Sequence, residues 1–294
     1  MANPKIPPCL DYTPLEGPAA TTEEALKNLK LRLFPASVED IEWLQYLGHG
    51  EEGHVYLARI NHYGNVAVKV FWHTFRPPPF NRFESFTWPL ESESQIVDLM
   101  QKLEAAMSEV EKTPEQTIMI KPGPQIRNDA QANVMAFSKE ARESSDKPAD
   151  GSTKPPPPFP PCRLCHGWFA IENARLPKVR PRMHRQPDPS GTSIAFVYEY
   201  VEYVSVNIAC AQKFFDFFYE VGLGISFQPR NWRDGRLLDM NDIRLPSQRK
   251  RWFSQAVYIY QTKESDWDIY ETEESDWVVQ YGSTQRRRDR KIVK

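Results

Sequence analysis

Glycine is scarce in this sequence, 13 residues in 294, while proline is abundant at 26, so irregular, proline-punctuated connections are expected around a compact body. No apolar run approaches the roughly 20 residues that a bilayer requires. The opening MANPKIPPCLDY lacks the apolar core of a secretory signal. Membrane insertion and export are therefore not expected, and the four cysteines (Cys9, Cys162, Cys165, Cys210) are expected to be reduced, in nucleus or cytoplasm. A formal charge of −2 removes any global pull toward nucleic acid or anionic lipid.

A hydrophobic fraction of 40% still allows a sizeable core. TTEEALKNLKLRLF carries Thr21 and Glu24 in capping-box spacing, then Leu26, Leu29 and Leu33 at helical steps, and reads as a short helix. From Ile41 the pattern is strand, glycine loop, strand, turn, strand, ending in VAVKVFW. Ile96, Met100, Leu103, Met107 and Val110 form a helical stripe narrow enough for a coiled-coil seam or for packing on a sheet. MAFSKEARES suggests a second helix, and Ser144–Pro161 has the composition of an exposed linker. PCRLCHGWFAI and SIAFVYEYV read as strands, and AQKFFDFFYEVG as an aromatic-faced helix ending near Gly222. A turn is expected at Asp234–Gly235. Two copies of ESDW, at Glu264 and Glu274, precede the basic tail QRRRDRKIVK; two copies are too few for a solenoid.

The segment with chemical content is LGHGEEGHVYLARINHYGNVAVKV, Leu47–Val70. Its G-x-G-x-x-G is followed by a strand, not by the helix of a dinucleotide fold. A strand–loop–strand flap over phosphates fits better. Gly48, Gly50 and Gly53 would let backbone amides approach an anion, Val55 would cover a base, Ala67 would line the slot, and Lys69 would reach phosphate oxygens.

The chain resembles the protein-kinase fold in this hairpin. In the order of its later blocks it resembles a fungal kinase-like family named for a kinetochore subunit of the Sim-four complex (the second Fta protein). Those blocks are Phe137-Ser138-Lys139-Glu140-Ala141-Arg142, Cys165-His166-Gly167-Trp168, Val197-Tyr198-Glu199-Tyr200, Pro229-Arg230-Asn231-Trp232 and Gly235-Arg236-Leu237-Leu238-Asp239. The likeness spans about residues 38–246. It implies an α+β, two-lobed kinase-like fold. An N-terminal extension (1–37) would precede an N-lobe (38–205) with an insertion and proline-rich linker at about 77–161. A reduced C-lobe (206–262) and an acidic tryptophan segment with the basic tail (263–294) would follow. It further implies Lys69 as phosphate-binding lysine, Glu140 as its ion-pair partner, with Glu84, Glu93 and Glu104 as competitors, and Glu199 and Tyr200 at the nucleotide hinge. Asn231 and Asp239 would be metal ligands, with ATP and magnesium as cofactors.

The departures decide the expected activity. Counting back from Asn231, the positions of the kinase H-R-D triplet hold Gly224, Ile225 and Ser226, so the proton acceptor is missing. D-F-G reads Asp239-Met240-Asn241, and no A-P-E follows. The expectation is a degenerate kinase-like module, a pseudokinase serving as an interaction protein, kinetochore-associated and with residual nucleotide binding. The alternative is an active small-molecule phosphotransferase using ATP. Protein partners are expected through the 96–110 helix or the tryptophan segment, and nucleic acid only weakly through the basic tail. Cys162-x-x-Cys165-His166 matches a haem-attachment motif and offers zinc ligands; neither haem nor zinc is expected, and a packed strand is the preferred reading.

Overall fold

The computed structural model describes residues 6–50, 52–76, 88–144, 152–178, 187–202, 208–225, 231–233, 235–247, 267–270 and 278–281. Seven strands form one mixed sheet. In chain order they are β1 (Leu10–Pro14), β2 (Leu31–Leu33), β3 (Ile41–His49), β4 (Gly53–Ile60), β5 (Gly64–Phe71), β6 (Cys165–Glu172) and β7 (Thr192–Glu199). Their spatial order is β1-β2-β6-β7-β5-β4-β3. The β3–β4–β5 meander pairs antiparallel, and β7 lies between β5 and β6, antiparallel to both. β1 and β2 pair parallel with each other, and β2 parallel with β6. Within the segment expected as an N-terminal extension, β1 and β2 supply the far edge of the sheet.

The central strands are apolar on both faces, as strands buried on both sides must be. Along β5, Ala67, Lys69 and Phe71 point to one face and Val66, Val68 and Val70 to the other, by the period-2 alternation of a strand. The first face is covered by α2 (Pro89–Lys112), which starts with Pro89 at its first position, where a missing N–H costs nothing. Ile96, Met100 and Leu103 are buried here, and Met107 and Val110 pack against the same core. The stripe thus packs on this chain's own sheet, one of the two roles its spacing allows. The second face is closed by side chains of the strands and nearby loops, including Phe34 against Tyr63 at 4.9 Å and Trp43 against Tyr56 at 5.3 Å.

Of the helix expected from Thr21, only α1 (Glu23–Lys27) forms, capped by Thr22, and the chain then turns into β2. Burying Leu31 at the sheet edge outweighs continuing the helix. Two short helices, α3 (Arg127–Met135) and α4 (Lys139–Glu143), precede the proline-rich stretch. That stretch is anchored in its described part: Lys154 exchanges two backbone hydrogen bonds with Ile120, and Phe159 stacks edge-on to Phe217 at 5.2 Å. Gly167 has φ of +114°, and a Cβ there would lie 2.8 Å from the Arg32 carbonyl oxygen, so the glycine lets β2 run close beside β6.

Beyond β7, α5 (Ile208–Val221) buries Phe214, Phe217 and Phe218. Short ladders follow: β8 (Gly224–Ile225) with β11 (Ile243–Arg244), and β9 (Trp232–Arg233) with β10 (Arg236–Leu237). β12 (Trp267–Tyr270) pairs antiparallel with β13 (Val278–Tyr281). The fold is thus mixed α+β, and among the described residues no helix is long and apolar enough to cross a membrane. Glu51, Glu84, Ser226, Pro229, Arg230, Asp234, Glu264, Glu274, Trp277 and the basic tail lie outside the described residues.

Candidate functional site

The glycine hairpin forms one wall of a cleft of about 810 Å³, the size of a small-molecule site. Leu47, Gly48, Gly50, Gly53, Val55, Ala67, Lys69, Tyr200, Asn231 and Asp239 line it, so most of the residues expected at a nucleotide site share one cavity. Val55 lies directly opposite Lys69 in the β4–β5 register, which sets both on the same stretch of wall.

The three glycines differ in what holds them. A Cβ on Gly53 would stand 2.0 Å from the Val70 carbonyl oxygen; one on Gly50 would meet nothing within 4 Å. Gly53 is required by strand packing, and Gly50 by no contact among the described residues.

Lys69 is the centre of the site. Its Nζ lies 2.5 Å from Glu93, 2.8 Å from Glu52 and 3.4 Å from Asp239. Glu93 comes from the first turns of α2 and is fully buried. Glu52 comes from the glycine hairpin. Asp239 caps a short turn, Met240–Asp242, by accepting the Asn241 backbone N–H. Two neutral donors complete the cluster. Asn241 Nδ2 reaches both Glu52 and Glu93 at 2.7 Å, and the Tyr198 hydroxyl donates to Glu93 at 2.6 Å.

The carboxylate oxygens of Glu52, Glu93 and Asp239 lie within 4.8 Å of one another, with the Lys69 ammonium as their shared cation. An ammonium has three N–H donors. Three carboxylates therefore saturate Lys69, and no donor remains for a phosphate oxygen.

The titration pattern follows from this sharing. Burial acts to lower the Lys69 ammonium, but Glu93, Asp239 and Glu52 together hold it above the usual lysine value. Burial pushes Glu93 up to about 7, because one ammonium divided among three acids cannot offset the desolvation. Burial also pushes Asp242 up to about 7, against its hydrogen bond from Asn231. Asp239 feels burial too, yet Lys69 and the Asn241 N–H hold it below the usual range.

Several expected roles are placed differently. Glu140 does not reach Lys69. It is exposed and accepts the Glu23 backbone N–H at 2.8 Å, at the start of α1. Its helix neighbour Arg142 is bonded to Glu109, sixteen residues beyond Glu93 along α2, or about 24 Å at 1.5 Å per residue. The ion-pair partner is Glu93, one of the competing glutamates.

Asn231 donates its side-chain amide to Asp242 at 2.8 Å. Glu199 lies outside the main cleft. Its carboxylate binds Arg236 at 2.6 Å and its carbonyl accepts Arg163 Nε at 2.9 Å. Arg163 also donates to the Leu238 carbonyl at 3.0 Å and lies 4.4 Å above the Tyr198 ring, tying the end of β7 to the Asp239 segment.

In the sequence Glu93 is one of four candidate glutamates, Tyr198 and Asn241 stand in the V-Y-E-Y and D-M-N blocks without an assigned role, and no sequence signal marks Arg163 or Asp242. Cys165 is buried on the α2 face of β6 with its thiol pushed up to about 12 by burial, whereas His166 packs on Tyr63 from the other face.

Chemically, the site can hold a flat ligand against Leu47, Val55, Ala67 and Tyr200. Its polar lining sets the carboxylates around Lys69 beside Arg163 and Arg233. Of the positions that match the H-R-D triplet, Gly224 and Ile225 pair with Arg244 and Ile243, and the acceptor position, Ser226, lies outside the described residues. No protein-family model matches the chain, and no curated protein matches it.

Proposed function

We propose that the chain is a degenerate kinase-like module, a pseudokinase that works as an interaction protein and not by phosphoryl transfer. The observation that carries this reading is the convergence of Lys69, Glu93 and Asp239 beneath a glycine hairpin. A strand lysine paired with a helix glutamate and set beside a metal-binding aspartate is the arrangement on which kinases depend. The same geometry argues against turnover. Lys69 has no free donor, Asn231 is engaged by Asp242, and the sequence carries Ser226 where the accepting aspartate would stand.

Nucleotide affinity is accordingly residual. The small-molecule phosphotransferase alternative would need Lys69 released and an acceptor base supplied. The partner is a protein; the kinetochore setting rests on the motif resemblance alone, and a fold does not fix a function.

The test is phosphate transfer from radiolabelled ATP with magnesium, to peptides, small alcohols and water. No transfer above background is expected. A signal that disappears in Lys69→Ala overturns the reading. Affinity capture with mass spectrometry then identifies the partner.

A further inference from the structure

We propose that Glu52 is a tethered stand-in for a phosphate group: it holds the phosphate end of the cleft shut, and breaking its contact with Lys69 and Asn241 opens the site to a flat heterocycle bearing a di- or triphosphate. This rests on the kinase-like reading and adds its gate.

The three carboxylates on Lys69 are not equivalent. Glu93 is fully buried on α2 and also bound by Tyr198, so it belongs to the fixed floor. Asp239 is committed to the cap of its own turn. Glu52 comes from the glycine hairpin, 17 residues before Lys69, and belongs neither to α2 nor to the Asp239 turn.

Its backbone carbonyl accepts the Trp72 N–H at 2.9 Å, which fixes the chain there while the carboxylate reaches in. That carboxylate receives one charged donor, Lys69 Nζ at 2.8 Å, and one neutral donor, Asn241 Nδ2 at 2.7 Å. An ammonium beside an amide is a donor pair that would equally suit the oxygens of a phosphate. A tethered competitor acts at an effective concentration of about millimolar or more, so a free polyphosphate of modest affinity is excluded. The apolar slot of Leu47, Val55 and Ala67 lies outside this contact and stays accessible to a ring.

The experiment is isothermal titration of the full chain with adenosine and with ATP plus magnesium. It compares wild type, Glu52→Ala, Glu52→Gln and the double variant Glu52→Ala/Lys69→Ala. Wild type is expected to bind the two ligands with similar affinity. Glu52→Ala should favour ATP over adenosine by about tenfold or more, and the double variant should lose that preference. Glu52→Gln keeps the side chain's size and tests whether charge is the gate.

Absence of an ATP preference in both single variants overturns the proposal, as does a preference already present in wild type. Phosphate transfer by wild type would overturn the non-catalytic reading without touching the contrast between variants. Equal binding by variants of an inert protein would remove the gate and leave that reading in place.

Discussion

Tyr198, on the central strand β7, donates its hydroxyl to Glu93 of α2 at 2.6 Å, and both side chains are fully shielded from solvent. This bond makes the floor of the cleft part of the core. Polar groups so buried must remain paired, because an unsatisfied one costs about 1–3 kcal/mol and a lone charge more. The site is therefore a stability element as well as a candidate for binding.

Lys69→Ala strands Glu93 in the core. Removing one partner of a buried ion pair costs about 3–5 kcal/mol. The full loss is expected at pH 8; at pH 5 Glu93 can take a proton and the loss shrinks. Lys69→Ala/Glu93→Gln should recover much of the stability. Urea unfolding of the four proteins in this cycle measures the coupling, and additive single losses would show that the pair is not coupled.

Stability should fall as pH rises from about 4.5 toward 7. Glu93 and Asp242 have folded values near 7, above their ordinary 4.5 and 3.8. Between those limits the folded state holds protons that the unfolded chain releases, so each group lowers stability by up to about 1.4 kcal/mol per pH unit. Asp239 has the opposite sign: its contribution is present above about 3.8 and is lost as pH falls below that. Denaturation at pH 5, 6 and 7 should show wild type weakening, with a flatter profile in Glu93→Gln and in Asp242→Asn. A wild-type profile rising from pH 5 to 7 contradicts this.

The hairpin glycines should separate by substitution. Gly53→Ala forces a methyl onto the Val70 carbonyl and should cost about 1–3 kcal/mol by overpacking. Gly50→Ala meets open space and should stay within about 0.5 kcal/mol. Thermal unfolding of the two variants makes the comparison; equal losses would contradict the packing argument.

Arg163→Ala removes the hydrogen bonds to the Glu199 and Leu238 carbonyls. Hydrogen bonds from a charged donor are worth about 1.5–3 kcal/mol, so a loss of that order is expected. Arg163→Lys should not rescue it, because an ammonium lacks the planar fork that spans both carbonyls above the Tyr198 ring. Full rescue by lysine would reduce the contact to simple charge.

What the sequence determined by itself was local. The β-branched and aromatic residues of VAVKVFW and SIAFVYEYV specified strands, and Lys69 shares a face with Ala67 and Phe71 because side chains alternate along a strand. The glycines before a second strand specified a hairpin, and the apolar stripe from Ile96 a helix. What only the tertiary structure decided was which helix faces Lys69, and whether its charge is free. Glu93 and Glu140 are chemically alike, and the intervening chain fixes no distance between either of them and Lys69. The answer came from α2 burying its apolar face across the sheet, which carried Glu93 inward and left Glu140 exposed on α4, against the Glu23 N–H of α1. The saturation of Lys69 likewise needs Glu52 and Asp239, residues 17 before and 170 after it in sequence, to meet on one ammonium. Only the packed chain brings such distant groups within hydrogen-bond reach.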